Sequence, residues 1–414
     1  MACVGHHGTV QSNRVRTIFA TVAAAGLLAL AACSGSGQAK WEGNGTGSTP
    51  AGPNSATVKI TAPANGAADV PAGTQIAYSA TNASSTDVTV TDASGQTVSG
   101  GPGYDKNTWV PDKELGYGQK YMVKATSTGS DGKTASTTTS FTTMAEPSKT
   151  IRFQSWFADN EVVGVAAPLV FKLTGPGVSS KADRAALQKR LTVETTPKQA
   201  GSWYWFSSTE LHYRSQDHWQ PGTKIKVDAK TGGLPMGDGY FGRSDLTVDL
   251  SVTDKPLTIS IDDKTHTLTA NLDGKIKKMP ASLGKPSTPS SSGNMVIMTR
   301  STQQVFDSSL GTGGTPVDAP GGYKVLVHWT MRLTWGGEFI HAAPWSVRQQ
   351  GHTDVSHGCT NVSTANAKWI YDNSHVGDPV TVKNTGTSLK WGNGWTDWDV
   401  SWADYLKGSA LPAN

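Results

Sequence analysis

From Ala56 onward the chain alternates apolar and polar residues in short runs closed by turn-forming residues. Thr57-Val58-Lys59-Ile60, Asp87-Val88-Thr89-Val90 and Tyr121-Met122-Val123-Lys124-Ala125 each put every second side chain on one face, the period of a half-buried strand. Asp92-Ala93-Ser94-Gly95 and Ser130-Asp131-Gly132-Lys133 supply turns. Over residues 56–146 this spacing predicts an immunoglobulin-like β-sandwich, one without the core disulfide because no Cys-Trp-Cys pattern is present. Ala145-Glu146-Pro147-Ser148 breaks the pattern and reads as a linker.

A second β-rich unit spans residues 149–253. It carries one predicted helix, Lys181 to Arg190, with Ser180 as N-cap. Its Trp203, Trp205 and Trp219 are expected to pack in a core or against a neighbouring domain. A third unit spans 255–384. Leu257 to Ile261 and His266 to Ala270 flank Asp262-Asp263 as a hairpin, and further strands are predicted over Asn294 to Arg300 and Tyr323 to Trp329. Phe339-Ile340-His341 forms a short strand after the Gly336-Gly337 turn. A helix over Thr364 to Asn373 is capped by Ser363, and Pro379 to Val382 closes the unit. Residues 385–414, dense in tryptophan, are expected to pack back onto their neighbours as a C-terminal extension. The predicted fold class is therefore mainly β.

The first 33 residues do not follow this pattern. Arg14 and Arg16 precede an apolar stretch, Ile18 to Leu30, too short for a full spanning helix. Leu30-Ala31-Ala32-Cys33 then resembles the processing site of a bacterial lipoprotein signal, with Cys33 as the lipidated residue. Residues 34–55, rich in Gly, Ser, Thr and Pro, read as a flexible tether. The expected location is the cell envelope, anchored by lipid at the outer face of the cytoplasmic membrane and facing the wall. The net charge of +4 and the lack of any Lys/Arg run argue against a nucleic-acid partner.

Of three cysteines, Cys3 precedes the apolar stretch and Cys33 is the processing site, so Cys359 is left as a lone thiol in an exported chain. It sits in Ser356-His357-Gly358-Cys359-Thr360-Asn361. A lone thiol between histidine and glycine suits nucleophilic catalysis better than packing. A helix begins a few residues on, so its N-terminus is expected to favour the thiolate. His341 and His357 are both available as bases or cationic partners. Gly358 frees the backbone, so that N–H groups from His357 to Cys359 are expected to converge on an oxyanion. A zinc site made of His341, His357 and Cys359 is disfavoured, because it has no CxxC partner.

His341-Ala342-Ala343-Pro344-Trp345, Gly351-His352 and the Ser356–Asn361 hexapeptide together resemble the catalytic signature of the L,D-transpeptidases, the YkuD-type domain. Gly284-Lys285-Pro286-Ser287-Thr288-Pro289 resembles the family's early G-x-x-x-T-P stretch. The order of His and Cys excludes papain-like wall peptidases. A sortase would need Thr-Leu-x-Thr-Cys and a later arginine. The resemblance implies a membrane-tethered chain in which two immunoglobulin-like domains precede a β-rich catalytic domain with a short helix after the nucleophile.

The resemblance further implies that Cys359 is the nucleophile, His341 its base, and His357 and Gly358 the flanks of an oxyanion hole. Tyr323 would sit over the site, Gly336 and Gly337 would line the donor path, and Trp345 would wall the cleft. Ser356 and Asn361 would lie beside the substrate, Asn361 holding substrate or loop geometry by its amide. Ala342 stands where relatives often have serine, and Phe306 where they often have methionine. The implied reaction joins peptidoglycan stem peptides, a tetrapeptide donor and an acceptor amine, into 3→3 cross-links with release of D-Ala. Water as acceptor would make the chain an L,D-carboxypeptidase, and a non-catalytic wall-binding role is the remaining alternative. Carbapenem-type β-lactams are the implied covalent inhibitors. No cofactor or metal is expected: Pro235 stands where some relatives have the first acidic ligand of a calcium loop in Pro235-Met236-Gly237-Asp238-Gly239.

Overall fold

In the computed structural model, which describes residues 55–310 and 314–412, alternation becomes sheet in each of the three predicted units. The expected signal segment with Cys33, and the tether apart from Ser55, lie outside the described residues. The fold is mainly β.

In the first sandwich, one sheet runs in the order Thr57–Ala62, Ile76–Thr81, Thr108–Pro111, Gly100–Pro102. The other runs Ala67–Val70, Thr134–Thr143, Lys120–Gly129, Ala83–Asp92, Thr97–Val98. Strand Lys120–Gly129 shows the cause: its alternate residues Tyr121, Val123 and Ala125 are buried and their neighbours are not. They meet Ile60, Ile76 and Trp109 of the facing sheet in one apolar core, without a disulfide.

The second sandwich sets Phe153–Ser155, Leu169–Leu173, Glu210–Ser215 and Gly201–Trp205 against Glu161–Val163, Leu246–Val252, Lys224–Ala229 and Leu191–Thr196. Its helix covers Lys181–Gln188, and the Ser180 hydroxyl accepts the Asp183 N–H at 3.0 Å as its cap. Trp203, Trp205 and Trp219 are all buried in this core.

The core does not stop at residue 253. Val296, Met298 and Trp395 belong to the same apolar cluster as Phe157 and Val163 of the second sandwich. Backbone meets backbone across this junction. Gly164 N–H donates to Val376 at 2.8 Å, and Ala166 N–H to Gly377 at 2.9 Å. A Cβ on Gly377 would lie 2.3 Å from that of Ala167, so only glycine permits the approach.

The third unit has two sheets. A six-stranded one runs Lys275–Pro280, Thr267–Leu272, Leu257–Asp262, Pro379–Lys383, Ser291–Val296, Thr387–Ser388. A four-stranded one runs Thr299–Asp307, Lys324–Arg332, Phe339–Ala342, Thr360–Val362. The single strand expected over Asn294–Arg300 is instead the end of one strand and the start of another, in different sheets. Met295, Val296, Ile297 and Met298 are all buried, because Met295 and Ile297 enter the core of the third unit while Val296 and Met298 enter that of the second sandwich. A continuous apolar run does not reveal such a switch.

The tail folds onto the second sandwich. Trp395 is 1% exposed, and the Trp398 indole N–H donates to Ala166 at 2.7 Å. Asp397 is wholly buried. His212 Nδ1 lies 3.0 Å from each of its oxygens, and Tyr405 donates to it at 3.0 Å. Burial opposes a charge on His212, but Asp397 and Glu210 outweigh it and raise its pKa. Removing one partner of a buried pair typically costs about 3–5 kcal/mol, because the other charge is left buried and uncompensated. Arg214 adds to this network, its guanidinium 4.3 Å from the Trp398 ring.

Candidate active site

Strand Phe339–Ala342 pairs parallel with Thr360–Val362, in register His341 to Asn361. That single pairing carries His341 to the hexapeptide, since Cys359 immediately precedes the second strand. The stretch Gly284 to Ser290 seats the loop from below the motif. Gly284 bridges to Ser356, Lys285 N–H donates to the Ser356 carbonyl at 3.0 Å, and the Ser290 hydroxyl donates to Gly358 at 2.7 Å. Gly358 itself has φ +123°, a conformation that favours glycine.

His341, Cys359, His357, Tyr323, Trp345, Ser356 and Asn361 meet in one cleft of about 320 Å³. Phe306, Val325 and Val355 complete its apolar walls. Trp345 is 56% exposed, with its ring centroid 6.0 Å from that of His341. Phe306 lies edge-on to His341 at 5.3 Å. Tyr323 lies over His357 at 5.2 Å. The two glycines expected on the donor path, Gly336 and Gly337, are not among the lining residues. The Gly336 N–H instead donates to the Asn393 side chain at 2.7 Å, and the Gly337 carbonyl accepts from the Cys359 thiol at 3.5 Å.

His341 is 3% exposed. Burial pushes its pKa down to about 4, against the Ala342 carbonyl and the Asn361 amide, which raise it. Its Nδ1 lies 2.9 Å from the Ala342 carbonyl, which can only accept. The ring proton therefore sits on Nδ1, and Nε2 keeps its lone pair. The main chain thus orients the ring where relatives often have a serine hydroxyl.

The thiol departs from expectation. Part of Cys359 faces the cleft, yet burial pushes its pKa up to about 12. The Glu338 carboxylate adds to the rise, and the Phe339 N–H and Arg332 oppose it. The helix Thr364–Asn373 does not help. Strand Thr360–Val362 intervenes, and Ser363 already caps the helix through the Asn366 N–H. Burial thus favours the neutral thiol and the neutral imidazole over a thiolate–imidazolium pair. The expected N–H array is also altered. Gly358 N–H donates to the Ser356 hydroxyl at 3.1 Å, and that hydroxyl donates to the Cys359 carbonyl at 2.6 Å. Ser356 thus braces the loop from within.

His357 is exposed, its Nε2 3.2 Å from the Lys285 ammonium. Burial and then the Lys285 charge lower its pKa, so it too is neutral at neutral pH. Sequence reasoning missed Lys285, Ser290, Arg332, Glu338 and Asn393. The first lies in the G-x-x-x-T-P stretch, which carried a family signal but no role. Glu338 is held by Ser291 through both its N–H, at 3.1 Å, and its hydroxyl, at 2.6 Å, and no local motif marks it. Among the described residues one group with metal-ligand spacing occurs, Asp263, His266 and Asp354. None of the three lines the cleft, and His341, His357 and Cys359 do not form such a group.

Residues 256–382 match the L,D-transpeptidase catalytic domain family (YkuD), and residues 67–235 a bacterial Ig domain. L,D-transpeptidase 2 of Mycobacterium tuberculosis (strain CDC 1551 / Oshkosh) is 36% identical over 325 residues, 78% of this chain and 78% of its own. L,D-transpeptidase 5 of Mycobacterium tuberculosis (strain ATCC 25618 / H37Rv) is 32% identical over 357 residues, 84% of this chain and 76% of its own. A solved L,D-transpeptidase from Mycobacterium smegmatis is 33% identical, covers 56% of this chain and 99% of its own, and has a TM-score of 0.45. With two relatives matched over most of their length and the YkuD segment holding the cleft, the chain belongs to the L,D-transpeptidase family.

Proposed function

We propose that this transpeptidase works through a cysteine acyl-enzyme. The observation that carries the reading is the cleft shared by the Cys359 thiol and a buried His341 whose Nδ1 is engaged by the Ala342 carbonyl. His341 takes the thiol proton as sulfur attacks the carbonyl of the third residue of a tetrapeptide stem. The S–C bond forms, the peptide C–N bond breaks, and the proton passes to the departing amine of D-Ala. An acceptor side-chain amine then attacks the thioester, gives its proton to His341 and releases the thiol, leaving a 3→3 cross-link.

In this reading the N–H groups of the His357–Cys359 loop carry the oxyanion, with that of Gly358 freed from Ser356 as the intermediate forms. Tyr323 and Trp345 frame the donor peptide, and Asn361 holds the base beside it. A strained carbapenem lactam is an acyl donor for the same thiol. Mixing the enzyme with a disaccharide-tetrapeptide tests the reading by mass. A cross-linked dimer with free D-Ala is expected. Tripeptide alone would make water the acceptor, and unchanged substrate would sink the enzymatic reading.

We further propose that Cys33 is lipidated and holds the enzyme at the outer face of the cytoplasmic membrane, a reading supported by Leu30-Ala31-Ala32-Cys33. A Cys33→Ala chain is then expected in the salt-washed supernatant. Retention in the membrane fraction would rule out the anchor.

A further inference from the structure

We propose that Asn393, in the C-terminal extension, is a positioning residue for the nucleophile. The inference rests on Cys359 as the attacking group. Three contacts in series carry it. The Asn393 side-chain oxygen accepts the Gly336 N–H at 2.7 Å. The next residue, Gly337, offers its carbonyl to the Cys359 thiol at 3.5 Å. Asn393 itself is fixed by the tail: its N–H donates to Lys390 at 3.0 Å, and Gly392 N–H donates to the Thr396 hydroxyl at 3.0 Å. Beyond it Trp395 is inserted in the core and Asp397 is latched to His212.

The Trp335–Glu338 turn needs such a brace. It is the reversal between strands Lys324–Arg332 and Phe339–Ala342, and Gly336 and Gly337 give it no side chains to pack. Arg332 holds its start through the Thr334 and Trp335 carbonyls, and Ser291 holds its end through Glu338. Asn393 holds Gly336, from 57 residues away, while within the turn the Gly337 N–H donates to the Thr334 carbonyl at 3.3 Å and the Glu338 N–H to the Thr334 hydroxyl at 3.1 Å. With Gly336 released, the Gly337 carbonyl no longer fixes the thiol in one rotamer. Two effects of opposite sign follow. Attack on a bound acyl donor slows, because misplacement of a reacting atom is costly. Ionisation becomes easier, because a carbonyl bonded to the neutral thiol favours the protonated form.

The test compares the full chain with Asn393→Leu, Asn393→Ala, Asn393→Asp and, as a control, Trp391→Ala. Trp391 stacks on Phe206, so its loss perturbs tail docking without touching Gly336. The readouts are carbapenem acylation and iodoacetamide alkylation of Cys359 by peptide mapping, with melting temperature alongside. N393L and N393A are expected to lower the limiting acylation rate about tenfold at unchanged half-saturation. They are expected to raise alkylation at pH 7 about threefold, half a pK unit. N393D keeps the acceptor oxygen and restores both rates, and W391A leaves both near wild type. Wild-type rates in N393L and N393A would overturn the proposal, as would N393D behaving like N393L, or W391A matching N393L at equal melting temperature. If N393L does not fold, N393A decides. A wild-type chain that takes no carbapenem would fail the functional reading instead, and the alkylation comparison would still decide Asn393.

Discussion

A Cys359→Ala chain is expected to gain no mass from a carbapenem and to release no D-Ala from a tetrapeptide stem. This is the largest effect foreseen, a loss to background, because the reaction has no other thiol. Cys3 and Cys33 lie outside the described residues, and a chain begun after Cys33 retains Cys359 alone. In the wild type, peptide mapping is expected to place the adduct on the segment holding Ser356 to Asn361. The mass added should be that of the whole carbapenem, since opening the lactam expels no atoms from the ring. An adduct that persists in Cys359→Ser would move the nucleophile elsewhere. The Ser variant is the stricter control. A hydroxyl beside a base of pKa about 4 is a far weaker nucleophile than a thiol, yet it fills the same space.

His341→Ala is expected to slow acylation about 10²–10⁴-fold, the usual span for a general base. The pH dependence follows from the burial of both groups. His341 must be neutral to accept the proton, and its pKa lies near 4, so the acid limb of acylation falls as pH drops through about 4. The thiol, near 12, stays protonated across the neutral range. Iodoacetamide, which reports thiolate alone, should therefore react slowly at pH 7 and faster with each step upward, without a plateau below pH 9. A thiolate–imidazolium pair would behave differently, with fast alkylation already level from about pH 5, as in thiols stabilised by a cationic partner. Such a plateau would overturn the neutral-pair assignment. His341→Ala acylating at near the wild-type rate would promote His357 to base, although the Lys285 ammonium 3.2 Å away makes its ring a poor proton acceptor. Because thiol and imidazole share one cleft, the measured values belong to the pair.

Much of this was legible in the order of residues, for reasons that are local. Strand Lys120–Gly129 was readable because side-chain burial follows its period of two. Helices Lys181–Gln188 and Thr364–Asn373 were readable from the Ser180 and Ser363 caps, whose hydroxyls bond N–H groups three residues on. The hexapeptide marked Cys359 because a lone thiol in a chain expected to be exported is hazardous unless it is used. His341, fifteen residues before Ser356, was available as a base at a strand end, a weak signal by itself that the family pattern strengthened.

The remainder was decided in three dimensions. Parallel pairing of Phe339–Ala342 with Thr360–Val362 is a non-local hydrogen-bond pattern, and it alone brings base and thiol into one cleft. The protonation state of the pair depends on how much water the surrounding chain removes. The helix that follows Cys359 in sequence therefore suggested a thiolate, while burial favours the neutral thiol. The run Met295 to Met298 is equally apolar whether it continues one strand or passes between two sheets, and only the packing on both its sides separates those cases. The tail's tryptophans announced that it would be buried, but not against what. Its path along the second sandwich delivers Asn393 to Gly336, a contact between residues with no pattern in common. Residue types and spacing thus determined which groups carry the chemistry. Burial and long-range backbone pairing determined their charge and their geometry, because solvation and distance are properties of the folded surroundings and not of any one segment.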